Sequence, residues 1–452
     1  MMSAFFSAVS GLKSQQTGLN VIANNISNVN TTGFKQQRVS FSDVLSQTLS
    51  GATGASGNKG GTNAIQLGLG VGVSSTDTIM TTGSTQSTGV DTDCSISGSG
   101  FFIVSGGSSG QYQFTRAGNF SVDEGGNLTV NGYKVCGWQD YDVDAASGDY
   151  VYNTSKAVEA INLYSDSYNG NKKVIAAKAT TGLTLSGNLD TSATASGTAL
   201  QTIGAVTTYD STTTVDNIYD ALGNEHSIKI NWKKCYVDTA TNTTSWYYSI
   251  TSDDLTVSPA SGYVAFDSSG QMVSTVTSGA TTYTFDTDPT LTLTPAASLG
   301  TAAFTVDMDL NNILQNTTTT TAAVTGTADD GYAAGELQGI SISSDGTIIG
   351  TYSNSQTQPL GMIALAVFTN PEGLEKIGAS LYAVTANSGN FTGGVVAGSG
   401  GSGALSTGTL EMSNVDLAQQ FSEMMISQRA YQANSKVIST ADEMLQSVIQ
   451  MV

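Results

Sequence analysis

The two ends of this chain carry matching helical patterns, although nearly four hundred residues separate them. Near the N-terminus, Phe5, Val9, Leu12, Gln16, Leu19, Ala23 and Ile26 recur at alternating spacings of four and three. Near the C-terminus, Leu417, Phe421, Met424, Gln428, Tyr431, Ser435, Ile438, Asp442, Leu445 and Ile449 do the same. A repeat of about 3.5 residues sets one narrow stripe along a helix, and a narrow stripe needs a partner helix. The termini are therefore expected to pair as a coiled coil. A second C-terminal stripe, Val437, Ala441, Met444, Val448 and Met451, widens the apolar surface beyond one partner's needs. Copies of the same protein would supply the extra neighbours as an open helical array.

Composition narrows the middle of the chain. Only 12% of the 452 residues are charged, hydrophobic residues make up 39%, and Gly 51 stands against Pro 5. Polar content is thus mostly uncharged, and apolar residues run through the whole length, which suits many short strands and tight turns rather than a disordered tail. Lys and Arg total 16 against 36 Asp and Glu, a net charge of −20, so the chain has little to offer a phosphate backbone. The three cysteines, Cys94, Cys136 and Cys235, form no CxxC pair and are read as core residues, with one disulfide at most.

No enzymatic constellation emerges. His226 is the only imidazole and is expected to be a solvated strand residue, so no nucleophile has a base. Asp140, Asp142 and Asp144 would share one face of a strand. A solvated edge explains them better than a cation site, because no loop Glu completes a Ca²⁺ motif. Gly68–Gly72 and Gly98–Gly100 lack the G-x-G-x-x-G spacing between strand and helix and are read as turns. No catalytic residue, metal or cofactor is expected. Neither a basic n-region with a cleavable apolar core nor a membrane-spanning run of about 18 apolar residues is present.

Along the chain, a first helix is predicted from about Ser3 to Asn28, ended by Asn30-Thr31-Thr32-Gly33 with Gly33 as a left-handed cap. Phe41 to Leu49 reads as a short helix or strand. Gly51–Asn63 and Gly393–Gly408 are Gly-rich arms. Asp123-Glu124-Gly125-Gly126, Asp220-Ala221-Leu222-Gly223 and Asp267-Ser268-Ser269-Gly270 each put Asp first and Gly fourth, the chemistry of a type I turn in a hairpin, and Asp345-Gly346 makes a tighter version. The residues from about Tyr152 to Thr327 are Thr-rich, with a low-complexity tract at Thr317–Thr321. The fold class expected is mixed and mainly β, with nested antiparallel β domains between the paired helices. The segments are 1–30 and 412–452 (helical), 31–75 and 391–411 (connecting arms), 76–150 and 330–390 (inner β domain), and 151–329 (an inserted outer β domain).

At the residue level the ends become recognisable. Ser10-Gly11-Leu12 and the run Leu19–Lys35, with Asn24, Asn25, Asn28, Asn30, Gly33 and Phe34, resemble the rod–hook family of bacterial flagellar axial proteins. So do Leu410–Leu417, with Asn414 and Asp416, and Gln428–Lys436, with Gln428, Arg429 and Asn434. Gly100-Phe101-Phe102 and Thr115–Phe120, with Arg116 and Gly118, add a third match. Within that family, the insert stretches Tyr219–Ile228 and Gly262–Ser274, and then Gln358–Gly389, look like hook proteins rather than the shorter distal rod proteins.

The resemblance implies a structural subunit, not an enzyme. It would form a curved hollow tube acting as a universal joint between rod and filament. Phe5, Val9, Leu12, Leu19, Ile22, Ile26, Leu417, Phe421, Met424, Tyr431, Ile438, Leu445 and Ile449 would form the assembly surface of the channel wall. The inner β domain would make a middle layer, the insert would face outward, and the Gly-rich arms would let the layers shift. Implied partners are other hook subunits, the distal rod protein, the hook cap and the hook–filament junction protein. Export would use the flagellar type III apparatus without a cleaved signal peptide, to an extracellular position. The alternatives are a distal rod protein, or a Thr-rich extracellular β adhesin or glycan-binding module with coiled-coil ends.

Overall fold

A computed structural model describes residues 2–55, 57, 60–106, 111–143, 150–165, 172–317 and 323–450. Asp144, Thr318 to Thr321 and Met451 lie outside them, as does the side chain of Val448. The chain is mainly β, with one long helix at each end: α1 (Met2–Ser27) and α2 (Leu417–Gln450). It divides into two compact units, residues 1–172 with 339–351 and 357–452, and residues 173–338 with 352–356. No helix among the described residues is long and apolar enough to cross a membrane.

In the first unit α1 and α2 pack antiparallel, since Gly11 meets Asn434 and Asn25 meets Gln420. After α1 the chain runs into a long two-stranded hairpin. Gln37–Asp43 pairs with Val71–Thr78, and Ser46–Ser50 continues the ribbon against Ile65–Gly68. Phe41–Leu49, left between helix and strand by its sequence, is therefore strand. Every described residue from 41 to 68 is exposed.

The β body of this unit is closed by strands from both halves of the sequence. One sheet runs in the order Leu365–Ala366, Phe101–Ser105, Tyr112–Thr115, Leu381–Ala383, Glu375–Gly378, and in a second Cys136–Trp138 lies beside Thr357–Ile363. Two further pairs, Cys94–Ser97 with Ala404–Thr407 and Thr85–Ser87 with Thr409–Glu411, zip the late segment onto the early one. The second Gly-rich segment thus enters the sheet rather than hanging free. Phe101, Phe114, Trp138, Phe368 and Tyr382 fill the core, with edge-to-face aromatic pairs such as Phe114–Phe368 at 4.8 Å.

The second unit holds two five-stranded sheets. One is ordered Leu255–Ser258, Thr290–Pro295, Phe304–Asn316, Gly182–Asp190, Val324–Ala328; the other Ser211–Tyr219, Glu225–Asp238, Thr243–Thr251, Ser261–Phe266, Met272–Val273. Leu183, Leu185, Ile230, Trp232, Trp246 and Met308 belong to a core of its own. One pairing departs from the antiparallel expectation: Gly182–Asp190 runs parallel to Phe304–Asn316. Parallel neighbours require a long crossover, and the strands between these two supply it.

The Asp-first turns form as their chemistry dictates. Gly126, Gly223 and Gly270 take φ of 79°, 84° and 78°, and the carboxylates of Asp123, Asp220 and Asp267 accept the backbone N–H four residues on. His226 does not sit in solvent as its charged neighbourhood suggested. It is buried, with Nδ1 2.5 Å from Asp254 Oδ2 and Nε2 3.4 Å from Asp220 Oδ2. Asp220 already organises the preceding turn, so the ring packs behind it. All three cysteines are buried and free. Asp140 pairs with Lys156 at 2.5 Å, and no metal-holding group of His, Cys, Asp or Glu occurs among the described residues.

Candidate functional site

Two helices can approach closely only where small side chains line their contact. On α1 the buried positions are Ala8, Gly11, Ser14, Gly18, Ile22 and Asn25. A Cβ on Gly11 would lie 2.8 Å from Asn434 Nδ2, and one on Gly18 would touch the Phe41 ring at 3.5 Å. Ser14 Oγ donates to Val71 O. The first four buried positions are therefore small residues, with Ile22 and Asn25 following, and the line meets α2 and the hairpin. Of the predicted stripe, Phe5, Val9, Leu12, Leu19 and Ile26 are half-buried on its shoulder, and Gln16 and Ala23 are exposed; Ile22, named for the assembly surface but outside that stripe, is buried.

On α2 the inward line runs through Gln420, Met424, Ser427, Ala430, Asn434, Ile438, Ala441 and Leu445. Only Met424, Ile438 and Leu445 belong to the stripe read from sequence. Leu417, Phe421, Gln428, Tyr431, Ser435, Asp442 and Ile449 are exposed, with Phe421 at 51% and Ile449 at 74%. Within one chain, most of the C-terminal stripe is left in solvent.

The family-motif residues converge elsewhere, where the chain passes from helices to β body. Asn25 is buried and works like a half base pair: Nδ2 donates to Gln37 O at 2.8 Å and Oδ1 accepts from Gln37 N at 3.0 Å. The same Nδ2 also donates to Gln420 Oε1 on α2, at 2.9 Å. Asn414 does the reciprocal work from the other end, accepting from Gln36 N at 2.7 Å and donating to Ile79 O at 2.9 Å and Thr81 Oγ1 at 3.0 Å. Asp416 caps α2, its Oδ1 accepting from the N–H groups of Ala418 and Gln419.

Gly33 is not the helix cap its position suggested, because α1 ends at Ser27. Its φ is 65°, its N–H donates to Glu411 O at 2.8 Å, and a Cβ there would stand 2.6 Å from Ala117 N. Only glycine lets this turn lie against the Arg116–Ala117 backbone. Gly118 is required by the same close approach, its hypothetical Cβ falling 1.7 Å from Cys94 O. Phe34 is buried with Lys376 Nζ 3.7 Å above its ring. Burial pushes the Lys376 ammonium down to about 8.

At the centre is a buried ionic cluster that sequence reasoning missed. Glu411 Oε1 accepts from Lys35 Nζ at 2.5 Å, and its Oε2 from Arg116 Nη1 at 3.2 Å. The Lys35 and Glu411 side chains are 0% and 1% exposed. Lys35 Nζ also donates to Thr81 O, Gly83 N to Glu411 Oε1, and Arg116 Nη2 to Gly98 O, while the guanidinium lies over the Phe101 ring. Burial drives the Lys35 ammonium below its ordinary value, and the Glu411 charge and hydrogen bond oppose that shift.

The remaining motif residues stay outside this cluster. Asn24 and Asn28 bond each other one helical turn apart, Asn30 is exposed, and Gln428 and Arg429 lie on the solvent side of α2, with Arg429 Nη1 3.5 Å from Gln432 Oε1. Asn434 faces Gly11. The junction thus ties segments from the two ends of the chain through backbone and side-chain bonds alike.

Comparison with known proteins agrees with this arrangement. Four family models match in chain order: Flagella basal body rod protein over 6–35, Flagellar hook protein FlgE/F/G D1 domain over 95–165, Flagellar basal body protein FlaE D2 domain over 188–332, and Flagellar basal body rod FlgEFG protein C-terminal over 406–451. The flagellar hook protein FlgE of Treponema pallidum is 37% identical, and that of Borreliella burgdorferi 35% identical, each alignment covering 100% of both chains. A crystal structure of Helicobacter pylori flagellar hook protein FlgE2 aligns over 72% of this chain and 100% of its own, with a TM-score of 0.44 and 13% identity. A flagellar basal-body rod protein FlgG of Bacillus subtilis also aligns over 100% of this chain, at 28% identity. It is therefore the higher identity to full-length hook proteins, together with the hook D1 and D2 domain matches, that favours the hook reading over the distal-rod and adhesin alternatives. The chain belongs to the flagellar hook protein FlgE family, as a structural subunit of the bacterial hook.

Proposed function

We propose that this subunit self-assembles into a curved hollow tube and works as a universal joint, passing torque from rod to filament. The observation that carries this reading is the apolar surface that the single chain leaves uncovered. On α2, Phe421, Met425, Ile426 and Ile449 are 51–74% exposed, and on the hairpin Val44, Leu45, Leu49 and Ile65 are 59–63% exposed. Uncovered apolar patches of this kind mark interaction surfaces, and a lone two-stranded ribbon is marginal in water. A groove of about 330 Å³ beside them, lined by Val21, Ile22, Val39, Phe41 and Ile426 among others, offers a place for a neighbour's side chains.

In this reading Phe5, Val9, Leu12, Leu19, Ile22 and Ile26, with Leu417, Phe421, Met424, Tyr431, Ile438, Leu445 and Ile449, form the channel wall. The β body of the first unit makes the middle layer and the Thr-rich insert the outer one. Close-packed helices resist twist because packed interfaces are costly to deform. Uncharged polar β surfaces exchange neighbours at small cost, since exposed polar contacts are weak singly. Partners are further hook subunits, the distal rod, the hook cap and the hook–filament junction protein, and delivery is by the flagellar type III apparatus to an extracellular position. We assign the protein no catalytic role.

The test is the pair Phe421→Asp with Ile426→Asp, both on exposed positions, followed by sedimentation velocity at rising concentration. The parent should form large species while the variant stays monomeric with an unchanged circular dichroism spectrum. A variant that assembles as readily as the parent contradicts the reading.

A further inference from the structure

We propose that Glu411 is a charge key whose arrival closes the β body of the first unit, so that this unit completes its fold last. The cluster is asymmetric, with one carboxylate serving two buried cations. Among the described residues no other carboxylate makes an ion pair with Lys35 or Arg116. Both cations belong to the early part of the chain, whereas Glu411 follows Lys35 by 376 residues and Arg116 by 295.

A buried ion whose partner is missing is strongly destabilising, because the lost Coulomb attraction no longer offsets desolvation. Until Glu411 is in place, folding residues 33–35 against 79–83 and 94–118 would bury two uncompensated cations. Glu411 also accepts Gly33 N–H through its backbone and Gly83 N–H through its carboxylate. The residue that neutralises the site therefore also knits the segments together. Asn414 and Gln420 follow within ten residues and set the strand start and the helix register. Charge closure and helix pairing are thus coupled through one short stretch.

The second unit needs none of this. Its apolar core is its own, and Lys35, Arg116 and Glu411 all lie in the first unit. The order follows: the insert folds by itself, and a chain still lacking its last stretch keeps the first unit open. The inference does not depend on how the subunit assembles.

The test uses the full chain, unassembled, with pulse-labelled hydrogen exchange during refolding. Three proteins are compared: the parent, the isosteric Glu411→Gln, and Lys35→Met combined with Glu411→Gln. In the parent, peptides around 183–189 and 228–232 should become protected first, and those around 33–36, 94–118 and 409–414 later and together. In Glu411→Gln, native-state exchange at 33–36 and 94–118 should rise about a hundredfold, with the second unit unchanged. The double variant, having shed one of the two stranded cations, should recover about tenfold of that loss. Protection of 94–118 well before 409–414 in the parent would overturn the proposal. So would a Glu411→Gln chain that exchanges like the parent, or a double variant no better than the single one.

Discussion

Asn25 and Gln420 lie 395 residues apart in sequence and meet in the buried seam between α1 and α2, amide nitrogen to amide oxygen at 2.9 Å. Because Asn25 also holds both backbone groups of Gln37, one side chain fixes where the N-terminal helix ends, where the hairpin begins and how the C-terminal helix is registered against both.

Replacing Asn25 by Leu keeps the branched shape but strands three polar partners. Leaving buried donors and acceptors unmade costs about 1–3 kcal/mol each, less whatever water recovers. We expect the variant to lose about 3 kcal/mol from the first unit. Urea unfolding followed by hydrogen exchange should show this loss on α1 and the hairpin base, with the second unit unaffected as an internal control.

Gly118→Ala should be worse than a typical overpacking change. Its Cβ would fall 1.7 Å from Cys94 O, which is backbone and cannot rotate away. The Cys94 N–H to Gly118 O bond at 3.0 Å would have to open as the two segments part. Overpacking ordinarily costs about 1–3 kcal/mol, and this contact should exceed that range. Limited proteolysis should cut the first unit at temperatures where the parent resists.

The second unit should be acid-sensitive through Asp220. Burial works against its charge, but the Asn224 side chain and N–H, the His226 ring and the Leu222 N–H outweigh it and hold the carboxyl down at about 2, from 3.8. A carboxyl depressed in the folded state contributes stability that is fully present above its unfolded value and is lost as pH falls through its folded value. Asp220 should therefore withdraw up to about 2 kcal/mol as pH drops from about 4 to about 2. Asp220→Asn should start less stable at neutral pH and show a flatter decline, read from thermal melts at several pH values.

How much of this was legible in the sequence depends on the range of the signal. The two helices were, because a seven-residue period is local, and so were the Asp-first turns, because Asp220 and Gly223 carry their own geometry. The seam was read one step to the side. Hydropathy marks Val9, Leu12 and Leu19, whereas the close approach is made at Gly11, Gly18 and Asn25, which have no apolar signal. Lys35, Arg116 and Glu411 each look like an isolated surface charge in a sparsely charged stretch, and only the fold brings them together. His226 failed for the same reason, since Asp254 lies 28 residues on. The parallel pairing of 182–190 with 304–316 leaves no local trace at all.

In the proposed assembly, copies of this chain complete the uncovered helix and hairpin surfaces. Negative-stain electron microscopy of the overexpressed, exported protein tests it most directly. Hollow, curved fibres are expected; straight fibres would point to a rod-like subunit. Discrete particles of fixed size that persist at high concentration would contradict it.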